Sequence, residues 1–313
     1  MGTYRKKRTL FNSATVICAF AILSAAFMKP AFGADLLEIK KRGVLRHLGV
    51  PYANFVTGSG DGMDVELIQL FAEYLGVGYE YVPTRWEDVI GDLTGEMVKP
   101  NGENVEVLGK VPIKGDIIAN GLTVLPWRRK VVRYSVPTFP TQVWVVARAD
   151  FPVKPIRSVG DIDGDIRAVK ALLKGHGILG VAGTCLEPSL YGLDKIGARL
   201  IPFPGTPNQL VPAVMNGDGE TCIQDVPDIL IALEKWPGRI KVIGPVSRMQ
   251  NMGCAFAKTS PQLLDAFNRF FKKFKQDDAY LNLVGKYYPA IFGYYPDFFE
   301  NRGGIYINGI FAD

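Results

Sequence analysis

Apolar and polar positions alternate along most of the chain in two distinct periods. Val44 to Val50 is a short apolar run with the length of a strand, and a polar, glycine-rich stretch follows it. Leu67, Leu70, Phe71, Tyr74 and Leu75 then recur at i, i+3, i+4, i+7 and i+8. That spacing predicts an amphipathic helix, stopped at Gly76. Tyr79 and Tyr81 alternate in a second strand, and Trp86 leads a short helix to Leu93. The order β-α-β implies a parallel sheet with helices packed on it.

A second series of the same kind opens at Gln142–Arg148. Its expected members are a helix near 166–174, a strand at 178–181 and a helix opened by Thr206-Pro207. A strand at 221–224, a helix at 226–236 and a strand at 240–243 complete it. Ser260-Pro261 repeats the pattern of a capping residue with proline in the first turn. Leu263, Leu264, Phe267, Phe270, Phe271 and Phe274 then fall on one helical face. Between the two series, residues 95–114 carry Gly, Pro, Asn and Lys, and are longer than a usual connection. They read as a rim element or a mobile loop. The run Gly175-His176-Gly177-Ile178-Leu179-Gly180 matches a dinucleotide fingerprint only by letter. It follows a helix and precedes a strand, the reverse of what that fingerprint requires.

The first 33 residues have a different design. Arg5, Lys6, Lys7 and Arg8 precede an apolar segment, Ala14 to Met28, and a small-x-small site at Ala31-Phe32-Gly33. This is the pattern of a cleaved export signal, with the mature chain starting near Ala34. The apolar segment falls short of the ~20 residues of a spanning helix, and Cys18 lies inside it, so no lipid anchor is expected. Removing the signal changes the charge. The chain holds 36 Lys+Arg and 31 Asp+Glu, and the signal contains five of the basic residues and none of the acidic ones, leaving 31 against 31. A neutral mature protein has no electrostatic support for a nucleic-acid partner.

About 280 residues then remain, which predicts two domains. The mature cysteines are Cys185, Cys222 and Cys254, an odd number that makes no disulfide framework, although Cys185 and Cys222 could pair. His47 and His176 stand at no metal-ligand spacing from a cysteine, so neither a metal nor a cofactor is expected.

Candidate chemistry concentrates in residues 115–135. An apolar strand at Ile117-Ile118 runs through Asn120-Gly121 to Thr123, and Arg128 stands where a helix begins. Main-chain N–H groups, a hydroxyl and a guanidinium fork at one strand end make a carboxylate receptor. A basic helix start on the surface is the plainer alternative.

The order of these features resembles the family 3 extracellular solute-binding proteins, the amino-acid-binding receptors of ABC importers. The resemblance spans roughly residues 40–290. It is carried by Gly62-Met63-Asp64-Val65-Glu66-Leu67, the segment ending at Arg128, the loop Gly183-Thr184, Gly219 to Pro227, and Lys272–Tyr288. It implies the α/β type II periplasmic-binding fold: two lobes, each a mostly parallel sheet flanked by helices, with two hinge crossings near 138–142 and 248–252. Lobe 1 would comprise residues 34–140 and 251–313, and lobe 2 residues 141–250. The resemblance implies that Arg128 grips a ligand carboxylate, assisted by Thr123. Asp225 would take the α-ammonium with Thr184 opposite, and Tyr52 and Trp86 would sandwich the side chain. Gly121 stands in the binding segment where a serine is common. Asp225 could equally cap the helix that follows it.

The function implied is a monomeric periplasmic protein that closes on an amino acid or organic acid and delivers it to an ABC-transporter permease. Two other classes use the same scaffold. One is an accessory or sensor protein acting through a protein partner, for which the aromatic tail (Tyr294, Tyr295, Phe298, Phe299) and the 95–114 insertion speak. The other is a cyclohexadienyl-dehydratase-like enzyme, whose best general acid would be Glu187. The expectation is a binding protein, not an enzyme.

Overall fold

The computed structural model describes residues 34–300 apart from 59 and 103, together with Met1, Gly2 and the backbone of 305–307 and 310–312. The expected export signal lies outside the described residues. Two five-stranded sheets organise the rest, and they share one design. The first runs Gly78–Pro83, Val44–Gly49, Ile117–Ile118, Ala255–Ala257, Val132–Tyr134. The second runs Arg199–Pro202, Gly177–Gly180, Thr221–Asp225, Val143–Arg148, Ile240–Pro245.

In each sheet the first two ladders are parallel and the last two antiparallel. Four of the five strands in each sheet thus run parallel, and the exception is the fourth strand. Val143–Arg148 and Ala255–Ala257 each enter from the opposite half of the molecule and so run against their neighbours. The two passages themselves pair as an antiparallel ribbon, Phe139–Thr141 with Gln250–Met252. Periodicity gives no sign of these three-residue strands, which are too short to show one.

The expected helices form with small shifts. Met63–Leu75 buries Met63, Leu67, Ile68 and Phe71, and ends at Gly76 with φ 71°. Ile162–Leu172 starts four residues earlier than anticipated because Asp161 accepts the N–H groups of Asp163 and Gly164 at 3.1 and 3.0 Å. Pro261–Gln276 buries Leu263, Leu264, Phe267, Phe270 and Phe271, with Phe267 5.1 Å from Phe71 and 5.6 Å from Phe256 between ring centroids. Its cap comes from far away in sequence. Asp35 accepts from Leu263 N at 2.8 Å and Gln262 N at 3.3 Å, while Ser260 Oγ donates to Ala34 O instead.

Two elements with no evident counterpart in the family pattern take definite form. Residues 95–114 include a hairpin, Glu96–Asn101 with Asn104–Lys110, that leaves Met97, Val107 and Leu108 exposed. The aromatic tail is core, not display. Tyr295, Phe298 and Phe299 are buried, with Phe299 packed edge-on against Phe292 and Phe139; Tyr294 alone stays exposed, beside Trp144. The tail therefore gives no support to a protein-docking surface.

Candidate functional site

The site is built where strand ends of the two sheets meet near the ribbon. Asp116, fully buried, fixes the start of the first anchor strand by accepting from Arg46 N and Arg46 Nη2 at 2.8 Å. After Ile117–Ile118 the chain must turn sharply, and Gly121 does so at φ 64°. A Cβ there would lie 2.5 Å from the Phe55 ring, so the hydroxyl of a serine has no room. Gly121 N donates to the buried Asp64 carboxylate at 2.7 Å, which gives the acidic residue of Gly62–Leu67 a structural task. Burial raises the Asp64 pKa to about 7.

Beyond the turn, Thr123 bridges to Met252 of the ribbon, and Pro126 opens the single helical turn Pro126–Arg129. That turn draws Arg128 inward until only 3% of it is exposed. Its Nη1 donates to Thr123 O at 3.0 Å, and its Nη2 reaches Gly183 O of the second half at 3.4 Å. The guanidinium carbon lies 5.3 and 5.9 Å from the ring centroids of Trp127 and Trp86, within cation–π range. Arg128 Nε is buried with no hydrogen-bond partner, as are Trp86 Nε1 and both polar atoms of the Asn120 amide. Thr123 Oγ is likewise buried with no bond of good geometry, the Cys185 thiol lying beside it. Unpaired buried polar atoms are rare, because each forfeits about 1–3 kcal/mol of hydration. A surface location for Arg128 is excluded.

The second half contributes Asp225, which is fully buried at the end of its strand. It stands at the N-cap of helix Val226–Lys235, but its side chain makes no capping bond. Instead Oδ2 accepts from Tyr52 Oη at 2.7 Å and Cys185 Sγ at 3.2 Å, and Oδ1 accepts from Thr141 Oγ1 at 2.9 Å. Burial raises its pKa, while these three donors and Arg128 pull it back down. Burial also pushes the Tyr52 phenol and the Cys185 thiol well up, as does the Asp225 charge, so both stay protonated donors. The Tyr52 ring stacks 6.1 Å from Phe55 and meets Trp86 edge-on at 5.7 Å.

Not every expected group is free for a ligand. Thr184 Oγ1 donates to Val181 O at 2.8 Å and accepts from Leu186 N at 3.0 Å, closing its own loop. Glu187 accepts from Gly183 N and Ser189 Oγ, both at 2.9 Å, so its carboxylate shapes that loop. Arg128, Thr123, Tyr52, Trp86 and Asp225 converge on one place, with Gly121 shaping the loop behind them. Residues 141 and 185 also belong there through their bonds to Asp225, and sequence reading passed over them. Cys185 follows Thr184 directly and Thr141 lies on a crossing, the two signals that were available.

Cys185, Cys222 and Cys254 are all free buried thiols. His47 is buried between Ala119 O at 2.7 Å and Tyr79 Oη at 2.9 Å, and burial lowers its pKa to about 4. Its neutral ring therefore donates to the carbonyl and accepts from the phenol. Among the described residues no group of three or more His, Cys, Asp or Glu could hold a metal ion, and no helix is long and apolar enough to cross a membrane.

Two linked α/β halves, each presenting strand-end side chains to the other beside a two-strand ribbon, define a bilobed solute-binding fold. The family model of bacterial extracellular solute-binding proteins, family 3, matches residues 113–290, and the chain belongs to that family. Solved structures share the fold. A mutant of ArgBP from T. maritima is 24% identical with a TM-score of 0.63, the match covering 81% of this chain and 99% of that one. An ancestral amino acid-binding protein, a precursor of cyclohexadienyl dehydratase, is 24% identical with a TM-score of 0.62 over 81% and 98%. A binding component of an ABC transporter from Wolinella succinogenes, complexed with lysine, is 23% identical with a TM-score of 0.63 over 79% and 96%.

Proposed function

We propose that the mature protein is a periplasmic receptor that closes on a small carboxylate-bearing solute and delivers it to an ABC-transporter permease. The observation that carries this reading is Arg128. A guanidinium buried at a strand end, with Nε unpartnered and Nη2 in contact with the other half, is matched to a carboxylate. Among the described residues no carboxylate touches Arg128, and Asp225 acts on it only at longer range, so an arriving carboxylate would make its first direct ion pair.

Closure follows from the same arrangement. Residues 34–140 and 251–313 would form one lobe and 141–250 the other, with hinges at the ribbon 139–141/250–252. Arg128 to Gly183 and Tyr52 to Asp225 span the two lobes, and Asn208 adds Ala53 N to its Oδ1 at 3.0 Å. A solute that bridges Arg128 to the Gly183 loop favours the closed state by its differential contacts. Export by the amino-terminal signal and a monomeric state belong to this reading. Arginine and lysine bound in structural neighbours make amino acids one panel to screen, and carboxylic acids the other. The test is a thermal-shift screen of the mature protein against both panels, with Arg128→Ala as control. A carboxylate raises the midpoint of the wild type and leaves Arg128→Ala unmoved. A solute that stabilises both equally refutes the assignment of Arg128.

A further inference from the structure

We infer that the solute is a small carboxylic acid with no α-ammonium group, such as a 2-oxo or 2-hydroxy acid. This rests on the reading that Arg128 receives a carboxylate, and it concerns the opposite end of the ligand.

An ammonium group needs an anion with open lone pairs. Asp225 is the charged acceptor placed for it, and its two oxygens already hold three donors, Tyr52 Oη, Cys185 Sγ and Thr141 Oγ1. A carboxylate offers about four acceptor sites, so roughly one remains. The three donors come from three separate places: the loop after the first strand, the Gly183 loop and the crossing strand. Each is buried, and Tyr52 is only 1% exposed. An ammonium, which brings three N–H donors, would find roughly one site open on Asp225 and would have to compete for the others with Tyr52 Oη, Cys185 Sγ and Thr141 Oγ1.

The unmatched groups around Arg128 point the other way. Arg128 Nε and Trp86 Nε1 can only donate, both are buried and unpartnered, and the guanidinium lies 5.9 Å from the Trp86 ring. A cleft with surplus donors suits a ligand rich in oxygen acceptors. A carboxylate with an adjacent keto or hydroxyl oxygen supplies them.

The experiment compares matched pairs on the mature protein by thermal shift and isothermal titration: pyruvate and L-lactate with L-alanine, 2-oxoglutarate with L-glutamate, phenylpyruvate with L-phenylalanine. In at least one set the oxo or hydroxy acid binds tenfold or more tightly than its amino counterpart. In Tyr52→Phe, which frees a site on Asp225, that preference shrinks at least tenfold. Amino acids binding equally well or better in the wild type overturn the inference and leave the carboxylate reading standing. No binding by any member of these pairs, while other amino acids bind, overturns it in the same way. No binding by any carboxylate at all contradicts both. A wild-type preference that Tyr52→Phe leaves unchanged overturns the part given to Tyr52. If Tyr52→Phe does not fold, the wild-type ratios decide alone.

Discussion

Replacing Gly121 with alanine tests how the anchor loop is made. The residue sits at φ 64°, and an added Cβ would stand 2.5, 2.7 and 2.9 Å from three atoms of the Phe55 ring. The left-handed conformation costs a non-glycine residue roughly 1–2 kcal/mol. The ring has nowhere to go: Phe55 is fully buried, with Phe139 at 5.1 Å and Tyr288 at 4.9 Å between centroids. Overpacking of this kind costs about 1–3 kcal/mol. The sum is about 2–5 kcal/mol, to be read as a lower urea midpoint at unchanged slope. Phe55→Leu should relieve part of it, giving a coupling of at least about 1 kcal/mol in the double-mutant cycle. A Gly121→Ala midpoint indistinguishable from wild type, with no coupling to Phe55, would refute this account of the turn.

Three further outcomes follow from the same geometry. Asp35→Ala removes the acceptor shared by Leu36 N at 2.9 Å and Leu263 N at 2.8 Å, so urea unfolding should show a loss of about 1–3 kcal/mol, one to two helix caps. Asp64, with its pKa raised from 3.8 to about 7, binds its proton more tightly folded than unfolded; its contribution is complete below about pH 4 and is lost as pH rises through 7. Stability should therefore fall from pH 4 to 7 more steeply in wild type than in Asp64→Asn, and equal slopes would exclude Asp64 as a source. The three mature cysteines should resist a thiol reagent in the native protein and react fully in denaturant without reductant. Fewer than three reactive thiols would reveal a disulfide.

The helices and longer strands were legible in the sequence because each buries a continuous face. Phe267, Phe270 and Phe271 announce theirs by spacing alone. The short strands at 132–134, 139–141, 250–252 and 255–257 carry no readable period, and their pairings join residues more than a hundred positions apart. The antiparallel setting of the fourth strand in each sheet stayed hidden for that reason. At the site, a strand, a turn and an arginine were enough to single out Arg128. The aspartate was visible as well, but its company was not. That Tyr52, Thr141 and Cys185 all donate to Asp225 depends on three distant segments meeting at one carboxylate. Gly121 illustrates the same limit, since its need for a bare Cα is set by Phe55, 66 residues away. The aromatic tail could be read as display until the fold placed Phe298 and Phe299 inside.

The most direct measurement is isothermal titration of the best carboxylate from the screen into wild type and Arg128→Lys. Lysine keeps the charge and loses the planar fork that holds a carboxylate in two bonds. An affinity loss of roughly 100-fold, about 3 kcal/mol, is expected with the fold intact. An affinity within about threefold of wild type would contradict it, and would move the carboxylate away from Arg128.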